Sequence, residues 1–210
     1  MAAQEIYNKV KICGNLKETT ICHLHQPQRI PCCLDAKYKC AHVSTYGVLD
    51  LDTIVSNYCK SKGLKTHSSA DALSFKADNL LFIEIKGWRK FIEYQLQNKH
   101  DETEIKAKED SYNLDKKLED SITICQQIIS PNNFIADHNI VYILVIDTDT
   151  SSRDAKSQFL QNLNILAYNS SSIYITISDI TEDHLQQSVK RAVRKIRVYC
   201  QNFDKICANL

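Results

Sequence analysis

Glycine and proline are scarce in this chain, four and three among 210 residues, which excludes collagen-like, low-complexity and loop-dominated architectures. No apolar run approaches the roughly 20 residues that a membrane-crossing helix needs. The opening residues also lack the basic-then-apolar form of a signal peptide, so a cytoplasmic protein with no membrane partner is expected. Net charge is missing as well: Lys and Arg total 26 against 25 Asp and Glu. Bulk attraction for nucleic acid is thereby excluded, and any phosphate contact must come from local clusters. Despite nine cysteines, no C-x-x-C pair occurs.

What is present is ample material for a core, with 43% of residues hydrophobic and no evident linker. The chain divides at residue 46. Residues 1–46 form a Cys/His-rich segment packed on the core or appended to it, and residues 47–210 form one α/β domain. Through Lys39 no clean periodicity is visible, and the prolines at 27 and 31 bias the chain around them toward an extended connector. Cys13, Cys22, His23, His25, Cys32, Cys33, Cys40 and His42 crowd this segment. Cys22 with His25, and Cys40 with His42, are close enough to be read as zinc ligands. Buried, reduced thiols are the plainer reading, because cysteine is commonly a small core hydrophobe and the odd count leaves one unpaired. Structural Zn²⁺ is therefore not favoured.

The most informative stretch runs from Asp71 to Lys86. Residues 79–87 alternate so that Leu80, Phe82, Glu84 and Lys86 share one face of a strand while Leu81, Ile83 and Ile85 share the other. Residues 66–75 read as a second strand, and residues 76–79 carry turn chemistry between the two. Asp71 then lies beside Glu84. Charges withdrawn from water without partners cost several kcal/mol or titrate until neutral, and two adjacent carboxylates repel. A hard cation with oxygen ligands resolves both problems, and Mg²⁺ or Mn²⁺ fits. Lys86 would then orient or deprotonate a water, or neutralise charge growing on phosphorus. The competing reading is a cross-strand ion pair on a wet sheet face.

Asp71, the Glu84-Ile85-Lys86 triplet and the order of elements around them resemble the PD-(D/E)xK phosphodiesterase superfamily, the restriction-endonuclease-like nucleases. The likeness covers roughly the middle of the chain, and Ala70 stands where that superfamily usually has proline. The resemblance implies a central mixed β-sheet flanked by helices with an αβββαβ core. It further implies a metal held by Asp71, Glu84 and the backbone carbonyl of Ile85, and hydrolysis assisted by Lys86. The helix before the catalytic strands often offers one more acid in such proteins, which makes Glu18, Asp50 and Asp52 candidates, although acids at a helix start need no such explanation.

Around this centre the spacing predicts a helix over residues 47–62 stopped by Gly63, a long helix over 102–129 closed by Pro131, and a buried strand over 139–146. A short helix over 157–166, a strand over 172–178 and a final helix over 181–202 follow. Lys106, Lys108, Lys116 and Lys117 are read as decorating the outside of the long helix. Trp88 either stacks on a base or closes the core, with Arg89 and Lys90 placed for phosphates. Lys190, Arg194 and Arg197 share a helix face, which is either a basic strip for a phosphate backbone or a solvated surface. The expected function is a metal-dependent nuclease acting on nucleic acid, DNA favoured over RNA, as a homodimer if cleavage is symmetric. The alternative is a nucleic-acid-binding or protein-interaction domain on the same fold without catalysis, zinc-stabilised if the N-terminal Cys/His cluster holds the metal.

Overall fold

The structure, a computed structural model, describes residues 2–24, 46–86, 91, 94–95, 101–129, 139–146 and 171–189. The predicted hairpin is present: β3 (Ala72–Lys76) and β4 (Asn79–Lys86) pair antiparallel with Ala72 opposite Ile83 and Lys76 opposite Asn79. The tight turn between them places Ala77 at φ +49°. β5 (Asn139–Ile146) lies parallel to β4 along its whole length, Phe82 beside Tyr142 and Glu84 beside Leu144. A parallel neighbour requires a crossover, and the helices between residues 102 and 129 supply it.

Two further strands complete a five-stranded mixed sheet in the order β1-β2-β3-β4-β5. β1 (Thr19–Thr20) pairs antiparallel with β2 (Gly47–Asp50), which pairs antiparallel with β3 through Leu49 opposite Leu73. Helices pack on the sheet. The face bearing Leu73, Leu80, Phe82, Ile140, Tyr142 and Leu144 is sealed by α1 (Ala3–Gly14), α2 (Leu51–Lys62), α3 (Glu102–Asp110), α4 (Leu114–Ile129) and α5 (Ser171–Ser188). The other face carries a smaller apolar layer of Val48, Ala72, Leu81, Ile83, Val141 and Ile143, with Leu24 against it. The predicted split of the Leu80–Ile85 run onto opposite faces therefore holds.

Four expectations are corrected. Residues 47–50 are strand rather than the first turn of a helix, because Asp50 caps α2: its carboxylate accepts the Thr53 N–H at 2.9 Å. Gly63, at φ +64°, ends α2 as expected. The segment read as aperiodic contains α1, whose Ile6, Tyr7 and Val10 are buried in the main core; Gly14 lies so close to Ile54 of α2 that an added Cβ would meet Cγ1 at 2.7 Å. The long helix of residues 102–129 is two helices, broken where Asn113 adopts φ +49°. The predicted strand at 172–178 is helix, and Thr181, expected to start the last helix, lies inside α5. Ile177, Thr181, Leu185 and Val189 are buried at a spacing of four, so tertiary packing of a helical stripe overrides the β-propensity of the local residues. The helix expected at 157–166, and residues 190–202 of the final helix, fall outside the described residues. Among the described residues no helix is long and apolar enough to cross a membrane.

Candidate functional site at the end of strands β3 and β4

Asp71 immediately precedes β3, and continuing the register one step beyond Ala72 and Ile83 sets it opposite Glu84. Its position is fixed from several sides. Its backbone carbonyl accepts the Leu51 N–H at 3.1 Å, tying it to the start of α2, while its Oδ2 accepts the Ile85 N–H at 2.7 Å. The preceding loop is fastened to α4: Ala70 N–H donates to Ser121 Oγ at 2.8 Å and Ser68 N–H to Asp120 Oδ2 at 3.2 Å. Ser69 donates its hydroxyl hydrogen to the Asp52 carboxylate. Loop residues with backbone donors satisfied by one helix cannot drift far, which is what places a carboxylate reproducibly at the end of an interior strand.

Glu84 is fully buried on the helix-covered face. Its Oε1 receives two ammonium groups, Lys86 Nζ at 2.5 Å and Lys117 Nζ at 2.7 Å. Lys117 also stands 4.0 Å from Asp71 Oδ1, and Lys86 lies over the ring of Tyr112, 5.1 Å from its centre. Glu84 Oε2 is buried with no hydrogen-bond partner among the described residues. Burial pushes the Asp71 carboxyl above its usual range, against the Ile85 amide and the two lysines, which pull it down. Burial likewise raises Glu84, and the Asp71 charge adds to the effect despite Lys117 and Lys86. Burial alone would lower Lys117, but the charges of Glu84, Asp71 and Asp52 and the hydrogen bond to Glu84 outweigh it and hold the ammonium firmly protonated.

Asp71, Glu84 and Lys86 are thus brought together as predicted. Lys117 was misplaced by the sequence reading, which set it on the outside of a helix. It sits in the first turn of α4 between Leu114 and Ser121, at the border of the buried stripe. Its spacing of three and four from those two was the only signal available. Tyr142 on β5 was missed as well. It is fully buried, its hydroxyl has no partner among the described residues, and burial together with the charges of Glu84 and Asp71 drives its pKa far upward.

The additional acids fare differently. Asp52 lies close enough for its charge to act on Asp71 and Lys117, but among the described residues it forms no three-ligand group with Asp71 and Glu84. Asp50 caps α2, and Glu18 pairs with Lys11 at 3.1 Å. Of Ile85, the amide is the group seen to engage the site, through Asp71.

The donor set for a cation is all oxygen: Asp71 Oδ1, with Oδ2 taken by an amide, and the unpartnered Glu84 Oε2. That chemistry suits Mg²⁺ or Mn²⁺. Counting Asp52, three carboxylates face two ammoniums, which leaves the neighbourhood one charge short of neutral. Trp88, Arg89, Lys90, Lys190, Arg194 and Arg197 lie outside the described residues, as do His25, Cys32, Cys33, Cys40 and His42 of the N-terminal cluster; of the remainder, Cys13 is exposed and His23 Nδ1 is 2.8 Å from Thr20 Oγ1. No family model, no curated protein and no solved structure matches this chain.

Proposed function

We propose that this chain is a metal-dependent nuclease on a restriction-endonuclease-like αβββαβ core, hydrolysing phosphodiester bonds of nucleic acid, with DNA favoured as substrate. The observation that carries the reading is the unpartnered, fully buried Glu84 Oε2 beside Asp71 and two ammonium groups. In support, α2, the antiparallel hairpin β3–β4, the crossover helices α3 and α4 and the parallel strand β5 follow one another along the chain, while the third antiparallel strand, β2, pairs beside β3 but precedes α2. Asp71 Oδ1, Glu84 Oε2 and, by resemblance, the Ile85 carbonyl would hold Mg²⁺ or Mn²⁺, and the ion supplies Lewis acidity toward a phosphodiester. Lys86 and Lys117 hold positive charge within reach of the same carboxylates, where it offsets the negative charge that grows on phosphate oxygens during attack. Burial of the site strengthens each of these electrostatic contacts. The Asp71–Ile85 hydrogen bond keeps the first carboxylate from swinging toward solvent. Arg89, Lys90, Lys190, Arg194 and Arg197 are the proposed phosphate contacts away from the cleavage centre, and a dimer serves if both strands of a duplex are cut.

One observation favours a second reading, in which the fold binds nucleic acid or a protein partner without catalysis. Lys86 and Lys117 together already balance Asp71 and Glu84, and such a network can hold a sheet to a helix with no metal. A panel of labelled single-stranded and duplex DNA and RNA, incubated with Mg²⁺ or Mn²⁺, separates the two. Cleavage that chelation abolishes, and that Glu84→Ala and Lys86→Ala each reduce by roughly a hundredfold or more, supports the nuclease. Cleavage that survives both substitutions, or no cleavage of any substrate, overturns it.

A further inference from the structure

A second charged cluster lies where α3 and α5 meet the first turn of α4, and among the described residues none of its carboxylates pairs with the strand-borne site. Glu109, in the last turn of α3, is fully buried, and its Oε2 is 2.6 Å from Nδ1 of His184 on α5. Asp110 Oδ1 lies 3.9 Å from the same nitrogen, and Asp115 Oδ2, in the first turn of α4, lies 3.9 Å from His184 Nε2. Three carboxylates therefore surround one imidazole at the meeting of three helices. The nearby lysines are engaged elsewhere: Lys108 lies over the Tyr112 ring, Lys116 pairs with Asp120, and Lys117 pairs with Glu84. Even a protonated His184 leaves this cluster two negative charges in excess.

Independent of the charge count, some buried polar atoms of these elements lack partners among the described residues. Glu109 Oε1 has none among the described residues, and neither has Thr181 Oγ1, which is fully buried one turn before His184 on the same face of α5. The Tyr142 hydroxyl, also unpartnered, feels the charges of Glu109 and Asp115. An orphaned buried donor or acceptor costs about 1–3 kcal/mol, and the unpartnered Glu109 Oε1 within this acidic cluster calls for an occupant that is cationic and oxygen-seeking.

We propose that Glu109, Asp110 and His184 bind a divalent transition-metal ion, with Zn²⁺ the best fit, at a site separate from Asp71 and Glu84. One ligand atom from each of the three falls within 4.8 Å of the others. A tetrahedral ion with bonds of roughly 2.0 Å needs ligand atoms roughly 3.3 Å apart, so binding opens the 2.6 Å His184–Glu109 contact and closes the 3.9 Å Asp110 contact. The ion replaces the proton now shared between imidazole and carboxylate. One nitrogen and two carboxylate oxygens select zinc over the harder Mg²⁺, and the coordination sphere keeps a position for water or Asp115. Bound there, the ion staples α3 to α5, replacing the His184–Glu109 hydrogen bond that now links them.

The test uses full-length chain carrying Asp71→Asn, so that an ion at the strand carboxylates is weakened in every sample, and counts Zn²⁺ by calorimetry after chelation. Zinc on N-terminal thiols is common to all samples and cancels. Adding Asp110→Asn, which alters a half-exposed side chain, or His184→Gln, which keeps an amide donor for Glu109, is expected to remove one zinc equivalent or weaken it at least about tenfold. Zinc should also raise the melting temperature of the parent more than that of either variant. Stoichiometry and affinity unchanged in both variants, or a parent that takes up no zinc, overturns the proposal; the cleavage panel above is read without added zinc, so the two inferences fail separately.

Discussion

Lys117 Nζ, on α4, and Glu84 Oε1, on β4, are 2.7 Å apart, and this contact joins the crossover helix to the centre of the sheet. Because Glu84 is fully buried, the contact also decides how much negative charge the interior must tolerate. Replacing Lys117 by Met leaves Glu84 with Lys86 as its remaining ammonium partner. The expected loss is about 1–3 kcal/mol of stability, less than for a fully abandoned buried charge, read from urea unfolding. Cleavage by the proposed nuclease should fall in the same variant when it is compared at equal folded fraction.

Asp71 has two separable roles. Its Oδ2 accepts the Ile85 amide, a bond that Asn can also accept, while the charge of its carboxylate serves the proposed ion. Asp71→Asn should therefore keep stability near that of the parent and lose the rise in melting temperature that Mn²⁺ gives. Asp71→Ala should lose both, with a stability cost of about 1.5–3 kcal/mol for a hydrogen bond to a charged group. Equal stability of the two variants would show that the amide contact holds nothing in place.

Ser121 sits between the helix and the loop that carries Asp71. Its Oγ accepts the Ala70 N–H at 2.8 Å and donates to the Lys117 carbonyl at 2.6 Å. Ser121→Ala removes no contact to any substrate, yet it strands a buried amide at a cost of about 1–3 kcal/mol. Hydrogen exchange at Ala70 should quicken by at least tenfold relative to amides in β5.

Cys125 of α4 is wholly buried, and burial pushes its thiol from the ordinary 9.0 up to about 12. Between those values the unfolded chain gives up this proton and the folded chain keeps it. The group has no effect on stability below 9.0, and it contributes a loss as pH rises toward about 12. Iodoacetamide applied to native protein should modify the exposed Cys13 and spare Cys125 and the buried Cys59 until denaturant is added, as peptide mass spectrometry will read. Cys125→Ala should lessen the alkaline fall in urea midpoint.

The hairpin was legible because its information is local. A period of two along residues 80–86 sorts Glu84 and Lys86 onto the face of Leu80 and Phe82, whatever the rest of the chain does. The β5 strand was legible for the same reason. Gly47–Asp50 was not, since Leu49 suits a helical stripe as well as a strand, and pairing with Leu73 is what selects the strand. Residues 172–178 carry strand formers, yet Ile177, Thr181 and Leu185 pack as one helical row. Local propensity is weak beside that burial.

By itself, then, the order of residues determined that two carboxylates and a lysine would meet near the end of a hairpin, because side-chain alternation and turn chemistry act over a few bonds. Tertiary structure alone decided that Lys117 would join them, that Asp52 would add its charge from α2, and that Glu109 and His184, 75 residues apart in sequence, would share a proton. Those partners are chosen through space, where desolvation makes any unmatched charge costly, and no periodicity in the chain encodes which distant side chain will be the one to match it.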